Sequence, residues 1–116
     1  MKKIGILTCI RSNDVCTRAG CLKAFRIRSD YFQEYGPETE LAVMMTCNGC
    51  PKENPLAPSK DPGMQEKVER LKKENVEAVH VGACRLHNGA ECSRIQEICG
   101  MIQEQGICIV KGTHKE

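Results

Sequence analysis

An apolar segment, IGILTCI at residues 4–10, decides the fold class of this chain. Three further short runs rich in β-branched residues follow at residues 40–46, 76–82 and 107–110. Each run is apolar along most of its length instead of alternating with polar residues, so each predicts a strand that is buried on both faces. Strands of this kind are typical of parallel sheets with helices packed on their faces.

Three segments with helical periodicity separate these strands. The first covers about residues 17–34, the second begins at Asp61-Pro62, and the third ends before Gly106. The order β-α-β-α-β-α-β predicts one cysteine-rich α/β domain over residues 1–116, with a four-stranded, mainly parallel sheet in a two-layer or three-layer arrangement. Right-handed crossovers favour a flavodoxin-like or Rossmann-like topology.

Nine cysteines in 116 residues are the unusual feature of the composition. With 41% hydrophobic residues, 28% charged residues and a formal net charge of +2, the chain otherwise resembles an ordinary globular domain. A chain of this length buries about two thirds of the surface of its unfolded form, so it does not need disulfide bonds in order to fold. The cysteines therefore need a functional explanation.

The same sequence indicates a cellular compartment and argues against several classes of function. The apolar run after Lys2-Lys3 is too short for a signal peptide, and no segment is long enough to span a membrane. We therefore expect a cytoplasmic protein, in which thiols stay reduced and clustered cysteines indicate metal or redox chemistry. The sequence has no stripe of basic residues that would indicate a nucleic-acid partner, and it lacks the motifs of nucleotide binding and serine hydrolysis.

Most of the cysteines fall where a predicted strand ends or the following helix begins. Because the carboxyl ends of parallel strands share one edge, where open α/β folds bind ligands, we expect these thiols to converge. Helix N-termini at that edge favour thiolate over thiol. Cys99, on the apolar stripe of the third helix, and Cys108, inside the fourth strand, are expected to be core residues. The seven converging cysteines are Cys9, Cys16, Cys21, Cys47, Cys50, Cys84 and Cys92.

The sharpest local motif is CNGCP at residues 47–51. A gap of two residues lets the sulfurs of Cys47 and Cys50 reach one metal ion, and Gly49 permits the tight turn between them. The same spacing also suits a dithiol redox pair, although a proline-rich loop follows it where a thioredoxin-type pair would open a helix. No second C-x2-C pair is present, which argues against a zinc ribbon.

Histidines and arginines near the strand ends are weaker candidates. His80 lies inside the third strand, where a hydrogen-bonded core position is the leading interpretation. His87 follows that strand, His114 follows the fourth strand, and either could complete a site. Arg11 and Arg85 each lie close to a strand-end cysteine, where they could offset thiolate charge or could be ordinary surface residues.

The motifs occur in an order that resembles the CGGC-domain proteins. The resemblance covers essentially the whole chain, and the motif that names the family differs here only by Asn48 in place of Gly. This departure costs little if Asn48 occupies a left-handed turn conformation, which Asn tolerates better than most residues. The matching segments are IGILTCIR at residues 4–11, DVC at 14–16, GCLKAF at 20–25, TCNGCP at 46–51, HVGAC at 80–84, Cys92, and GTH at 112–114.

The resemblance implies a small prokaryotic, cytoplasmic protein that binds a metal, usually proposed to be zinc, without an established reaction. It implies the seven converging cysteines as ligand candidates, with His80 and His114 as weaker ones. Seven thiols exceed the four that a single zinc ion accepts, and this stoichiometry slightly favours an iron–sulfur cluster, used for electron transfer or sensing.

Two alternatives to a functional metal centre stay open. One is thiol-disulfide or persulfide chemistry with Cys47 and Cys50 as the redox couple and a redox partner protein. The other is a scaffold in which zinc only holds the loops. A cluster could also bridge two chains, so a homodimer is an open alternative. Neither a nucleic acid nor a membrane is expected as a partner.

Overall fold

The computed structural model describes residues 1–115. Within this range the main sheet has four strands in the order β2-β1-β3-β6, all parallel. The predicted α/β fold with a parallel, flavodoxin-like sheet is confirmed. The elements are β1 (Lys3–Thr8), α1 (Ala19–Arg26), β2 (Glu40–Thr46), α2 (Pro62–Lys73), β3 (Ala78–Val81), β4 (Leu86–His87), β5 (Ala90–Glu91), α3 (Ser93–Glu104) and β6 (Cys108–Lys111).

The sheet is the middle of three layers, because alternate side chains of each buried strand enter different cores. Leu7 of β1 packs with α2 and α3 on one face, together with Val79 of β3. Ile4 and Ile6 pack on the other face with α1 and with Phe32, which is fully buried. A strand period of two residues produces this division.

The helix after β1 therefore lies on the opposite face from the helix after β3, and β1 and β3 are neighbours in the sheet. This is a topological switch point, where an open α/β sheet leaves a crevice outside the carboxyl ends of its strands. The segments that follow β1, β2 and β3 surround that crevice.

Helix α2 begins as the sequence predicts. Asp61 is the N-cap and accepts a hydrogen bond of 2.9 Å from the N–H of Gly63, while Pro62 occupies the first helical position. Met64 and Leu71 are among the buried residues of the helix, as their spacing indicates. The N-cap therefore fixes the start of α2 close to the end of β2.

Helix α1 is much shorter than the helix predicted over residues 17–34. Arg28 and Asp30 both adopt a φ of 54°, which interrupts the helix with left-handed turns. The guanidinium of Arg28 donates to the carbonyls of Phe25 at 2.6 Å and Thr39 at 2.8 Å. The first bond satisfies a carbonyl at the end of α1, and the second connects the turn to the residue before β2.

The hairpin of β4 and β5 is an element that the hydrophobic pattern did not predict. Its turn is Asn88-Gly89, and both residues have positive φ, 54° and 81°. Leu86 pairs with Glu91, and His87 pairs with Ala90. The strands have two residues each, too short to produce an apolar period.

The two cysteines expected in the core have different environments. Cys99 is buried on α3, with an exposure of 8%, as predicted. Cys108 is exposed, so its predicted core position is wrong. The reason is that β6 is an edge strand, and Cys108 pairs with Ala78 on the face where the α1 layer leaves β6 uncovered.

Membrane insertion can be addressed from the helices. Among residues 1–115, no helix has both the length and the apolar character needed to cross a membrane.

Candidate functional site

Three cysteines meet at the carboxyl edge of the sheet. Cys9 directly follows β1, Cys47 directly follows β2, and Cys84 lies in a short 3-10 turn after β3. Cys9 and Cys47 are almost fully buried, with exposures of 3% and 5%, while Cys84 is half-buried. The structure therefore brings three of the seven candidate thiols to the switch point.

Successive backbone N–H groups at the end of β1 face these sulfurs. The N–H of Cys9 donates to Cys84 Sγ at 3.1 Å, and the N–H of Ile10 donates to Cys47 Sγ at 3.4 Å. These two consecutive groups, the N–H row, each serve a different sulfur. N–H groups aimed at sulfur stabilise a thiolate more than a thiol.

The electrostatics of Cys9 indicate which charge states of the three cysteines are stable. Burial raises the pKa of the Cys9 thiol, and negative charge on Cys47 and Cys84 raises it further, while the N–H of Arg11 opposes the shift. Cys9 and Cys47 are neighbours at this edge, since the N–H that directly follows Cys9 donates to Cys47 Sγ. Several thiolates in one buried place repel one another, so the group is stable as thiols or as thiolates with a cation among them.

A side-chain network holds the loop after β1 in the conformation that creates the N–H row. The guanidinium of Arg18 donates to Thr8 Oγ1 at 3.0 Å, to Ser12 Oγ at 3.2 Å and to the carbonyl of Cys16 at 3.0 Å. The hydroxyl of Ser12 donates to the carbonyl of Cys9 at 2.6 Å. The site is therefore supported by a second set of polar residues.

The second cysteine of the motif lies at the rim of this group. Cys50 is half-buried, and its Sγ lies 4.0 Å from Nη1 of Arg11. Gly49 has a φ of 108°, which gives the tight turn expected of it. The N–H of Asn54 donates to the carbonyl of Cys50 at 2.9 Å and closes the following loop.

Asn48 does not adopt the left-handed conformation that Asn tolerates, because Gly49 takes that role. Its side chain is used instead. Nδ2 donates to Asp61 Oδ2 at 3.1 Å, and Oδ1 accepts from Lys67 Nζ at 2.7 Å. Burial lowers the pKa of Lys67, while the negative charge of Cys47 and Asp61 raises it. The ammonium of Lys67 is thus within electrostatic range of the Cys47 sulfur.

Cys16 and Cys21 lie on the α1 side of the edge. Cys16 is exposed, and its Sγ accepts from the N–H of Arg18 at 3.3 Å. Cys21 is buried, and its Sγ lies 3.0 Å from Thr113 Oγ1. Burial raises the pKa of Cys21, and the hydrogen bond to Thr113 opposes the shift. Neither sulfur is hydrogen-bonded to the central three cysteines within the described part of the chain.

Cys92 is the N-cap residue of α3 and lines a cavity of about 230 Å³ between that helix and the strands β3 and β6. Cys99 lines the same cavity. Cys92 also packs against the core cluster that contains Cys9 and Cys47, and its N–H donates to the carbonyl of Arg85 at 2.8 Å. Among the described residues, no hydrogen bond joins its sulfur to the central three cysteines.

His80 is a core residue whose two ring nitrogens are both engaged. Nδ1 donates to the carbonyl of Gly112 at 2.9 Å, so the neutral ring presents Nε2 as an acceptor for the Tyr35 hydroxyl at 2.7 Å. Burial lowers the pKa of His80, against the hydrogen bond to Gly112. The structure thus places His80 in a buried network and not among the thiols.

The other two histidines lie near the edge in different places. His87, on β4, has Nε2 4.0 Å from Cys9 Sγ, which makes it the histidine nearest to the central cysteines in the described contacts. His114 lies against the start of α1, where a Cβ on Gly20 would be 2.9 Å from its Nε2. From the residues alone either His87 or His114 could complete a site, and only the family resemblance pointed to His114; Asn88-Gly89 is a strong hairpin signal that could have located His87.

Arg85 has a structural role next to Cys84. It forms an ion pair of 3.2 Å with Glu91, and Lys111 of β6 pairs with the same carboxylate at 2.8 Å. Hydrogen bonds from Lys111, Gln96 and Arg85 lower the pKa of Glu91 to about 2. The guanidinium of Arg85 is therefore committed to this network, whereas Arg11 is directed toward a sulfur.

The central thiols are close together without forming a ready coordination sphere. Within residues 1–115, no three His, Cys, Asp or Glu side chains are positioned so that they could hold a metal ion as they stand. The chemistry of the donor set nevertheless fits a thiophilic metal, since Cys9, Cys47 and Cys84 are adjacent and the N–H row faces two of their sulfurs.

Fold and site together define a class of protein: a cysteine-rich, flavodoxin-like α/β domain with its thiols at the switch point of a parallel sheet. The chain belongs to the CGGC domain family, whose model matches residues 3–114. No curated protein and no solved structure matches the chain significantly. Membership of this family and the nine cysteines are compatible with a cysteine-rich metal-binding protein.

Proposed function

We propose that this protein binds a metal centre through cysteine thiolates at the carboxyl edge of its sheet. The observation that carries the proposal is the N–H row, in which two consecutive backbone donors, those of Cys9 and Ile10, face the sulfurs of Cys84 and Cys47 beside Cys9. Such donors lower the energy of thiolates, the form in which cysteine binds metals.

Cys9, Cys47 and Cys84 would hold the centre, and Cys50 would be the fourth ligand from the rim. Rotation of the cysteine side chains about their Cα–Cβ bonds is needed to bring the sulfurs to one centre. His87, near Cys9, is the alternative fourth ligand. When bound, the metal would supply the positive charge that these thiolates require.

An iron–sulfur cluster is the form we favour, with zinc as the alternative. A cluster uses four cysteines, and N–H groups near its sulfurs set its reduction potential. The protein would then serve electron transfer or sensing with a redox partner protein. Because all nine cysteines are free thiols, a reducing compartment such as the cytoplasm suits the proposal.

The test is purification under strictly anaerobic conditions, followed by analysis of iron, zinc and acid-labile sulfide and by a visible absorption spectrum. Iron with matching sulfide and a coloured protein supports the cluster. One zinc per chain in a colourless protein supports the zinc alternative. A protein that contains no metal and takes up neither zinc nor a reconstituted cluster contradicts the proposal.

A second function, thiol-disulfide exchange, is favoured by the position of Cys47 beside Cys9, where the N–H of Ile10 donates to Cys47 Sγ at 3.4 Å. Oxidation of this pair forms one S–S bond and releases two protons, while two electrons reduce a disulfide oxidant to two thiols. The couple would then be Cys9 with Cys47, in place of Cys47 with Cys50. Disulfide mapping after limited oxidation distinguishes these pairs.

A further inference from the structure

The residue that distinguishes this chain from the family motif, Asn48, ties the motif turn to α2. Its Nδ2 donates to Asp61 Oδ2 at 3.1 Å, and its Oδ1 accepts from Lys67 Nζ at 2.7 Å. A glycine at this position could make neither hydrogen bond. The side chain of Asn48 therefore adds two attachments that the CGGC form of the motif lacks.

Asp61 joins the turn to the start of the helix. Its Oδ1 caps α2 through the N–H of Gly63, while its Oδ2 also accepts from Asn54 Nδ2 at 3.0 Å. Asn54 donates in addition to the carbonyl of Asn48 at 3.3 Å. Hydrogen bonding to Asn48 lowers the pKa of Asp61, so the carboxylate is ionised at neutral pH. The helix cap and the motif loop form one connected unit.

Lys67 brings a positive charge to this unit. Its half-buried ammonium donates to the carbonyl of Thr46 at 2.9 Å as well as to Asn48. Thr46 is the last residue of β2, directly before Cys47. Lys67 therefore spans the chain from the end of β2 to the motif turn and holds its charge near the Cys47 sulfur.

We propose that Lys67 is a positioning residue for the motif, which acts through Asn48 to fix the turn between Cys47 and Cys50 and supplies positive charge beside Cys47. The positioning role is independent of any ligand. The charge role rests on the proposed function, because a centre with several thiolates has a net negative charge that a nearby ammonium stabilises.

Four variants distinguish the positioning role of Lys67 from its charge role. Lys67→Met removes both the hydrogen bonds and the charge, and Lys67→Arg keeps the charge and donor groups. Asn48→Gly restores the family motif and removes the attachments of the turn. Lys72→Met removes an exposed lysine of the same helix and is the matched control.

Hydrogen exchange of the metal-free protein tests the positioning role. We expect the amides of Glu53 and Asn54, which donate to the carbonyl of Cys50, to exchange at least several-fold faster in Lys67→Met and Asn48→Gly than in the wild type. Lys72→Met should exchange like the wild type. Equal exchange in Lys67→Met and Lys72→Met overturns the inference.

Anaerobic titration with Co²⁺ tests the charge role, with the thiolate-to-cobalt absorption band as the signal. We expect Lys67→Met to bind Co²⁺ roughly tenfold more weakly at low salt, with the difference reduced at high salt, and Lys67→Arg to restore most of the affinity. Equal affinities of the Met and Arg variants overturn the charge role. If the wild type does not bind Co²⁺, the charge role is overturned and the exchange experiment alone decides the positioning role, while uptake of zinc or of a reconstituted cluster decides the proposed function.

Discussion

The backbone N–H of Cys9 lies 3.1 Å from the sulfur of Cys84, although the two residues are 75 positions apart in the chain. This contact joins the ends of β1 and β3 at the point where the following helices diverge to opposite faces. The parallel sheet thus brings distant cysteines together, and the loop after β1 supplies the backbone donors that face their sulfurs.

Gly82→Ala should disturb the site with little effect on the fold. A Cβ on Gly82 would lie 3.3 Å from Cys84 Sγ, so the sulfur must shift by a few tenths of an ångström from the position in which it accepts from the N–H of Cys9. We expect Co²⁺ affinity to fall several-fold while the free energy of unfolding changes by less than about 1 kcal/mol. Chemical denaturation and Co²⁺ titration of the same samples measure both. Unchanged affinity would show that the position of Cys84 does not matter for binding.

Mild oxidation should form a disulfide between Cys9 and Cys47 first. Cys47 Sγ lies 3.4 Å from the backbone nitrogen of Ile10, directly after Cys9, whereas the sulfur of Cys50 lies next to Arg11. We expect peptide mass mapping after limited treatment of the metal-free protein with diamide to recover the Cys9–Cys47 pair. Cys50→Ser should form the same disulfide at a similar rate. Early formation of a Cys47–Cys50 bond would restore that pair as the redox couple.

Stability should fall in mild acid because of His80. Burial lowers the pKa of this ring in the folded protein below its usual value of 6.5, so unfolding takes up a proton. The contribution of the neutral ring is complete above about pH 6.5 and is lost as the pH falls toward the lower pKa of the folded state. Urea unfolding at about pH 7.5 and about pH 5.5 should give a lower midpoint in acid.

His80→Gln is the control for that pH dependence. It cannot titrate, so its midpoint should change less between the two pH values. It should also be less stable at both, by about 1–3 kcal/mol, since the Tyr35 hydroxyl and the Gly112 carbonyl lose their buried partner. An equal fall in stability for wild type and variant would assign the acid sensitivity to other groups.

Two glycine substitutions should change stability in opposite directions. Gly112 has a φ of 138°, and a Cβ there would collide with the ring of Tyr31, so Gly112→Ala should destabilise the protein by about 1–3 kcal/mol. Gly100 lies within α3 with nothing near its Cβ position, so Gly100→Ala should stabilise it by about 0.4–1 kcal/mol. Thermal unfolding of both variants checks the pair, and destabilisation by Gly100→Ala would contradict the open surroundings of that position.

The strands could be predicted from the sequence because buried parallel strands are continuous apolar runs. Residues 40–46 match β2 in full, and the other three runs differ from the observed strands by a few residues at their ends. Parallel order then placed Cys9, Cys47 and Cys84 at one edge without any knowledge of side-chain positions. The apolar runs alone were therefore sufficient to predict that these three cysteines lie at one edge.

The remainder depends on local geometry that periodicity does not encode. α1 ends early because Arg28 and Asp30, neither of them glycine, adopt left-handed turns. Cys92 faces a cavity on the α3 side, although it lies at the same edge in the chain order. The roles of Arg18 and Lys67 follow from hydrogen bonds between residues distant in sequence, which no motif marks.

If Cys9, Cys47 and Cys84 together hold a metal centre, loss of any one of these sulfurs should release most of the metal. The measurement is the metal-to-chain ratio of anaerobically reconstituted Ser variants at these positions, compared with Cys99→Ser on α3 and the exposed Cys108→Ser. Each of the three edge variants should lose most of the bound metal, and the two control variants should retain it. Full metal content in all three edge variants would show that these cysteines do not hold the centre.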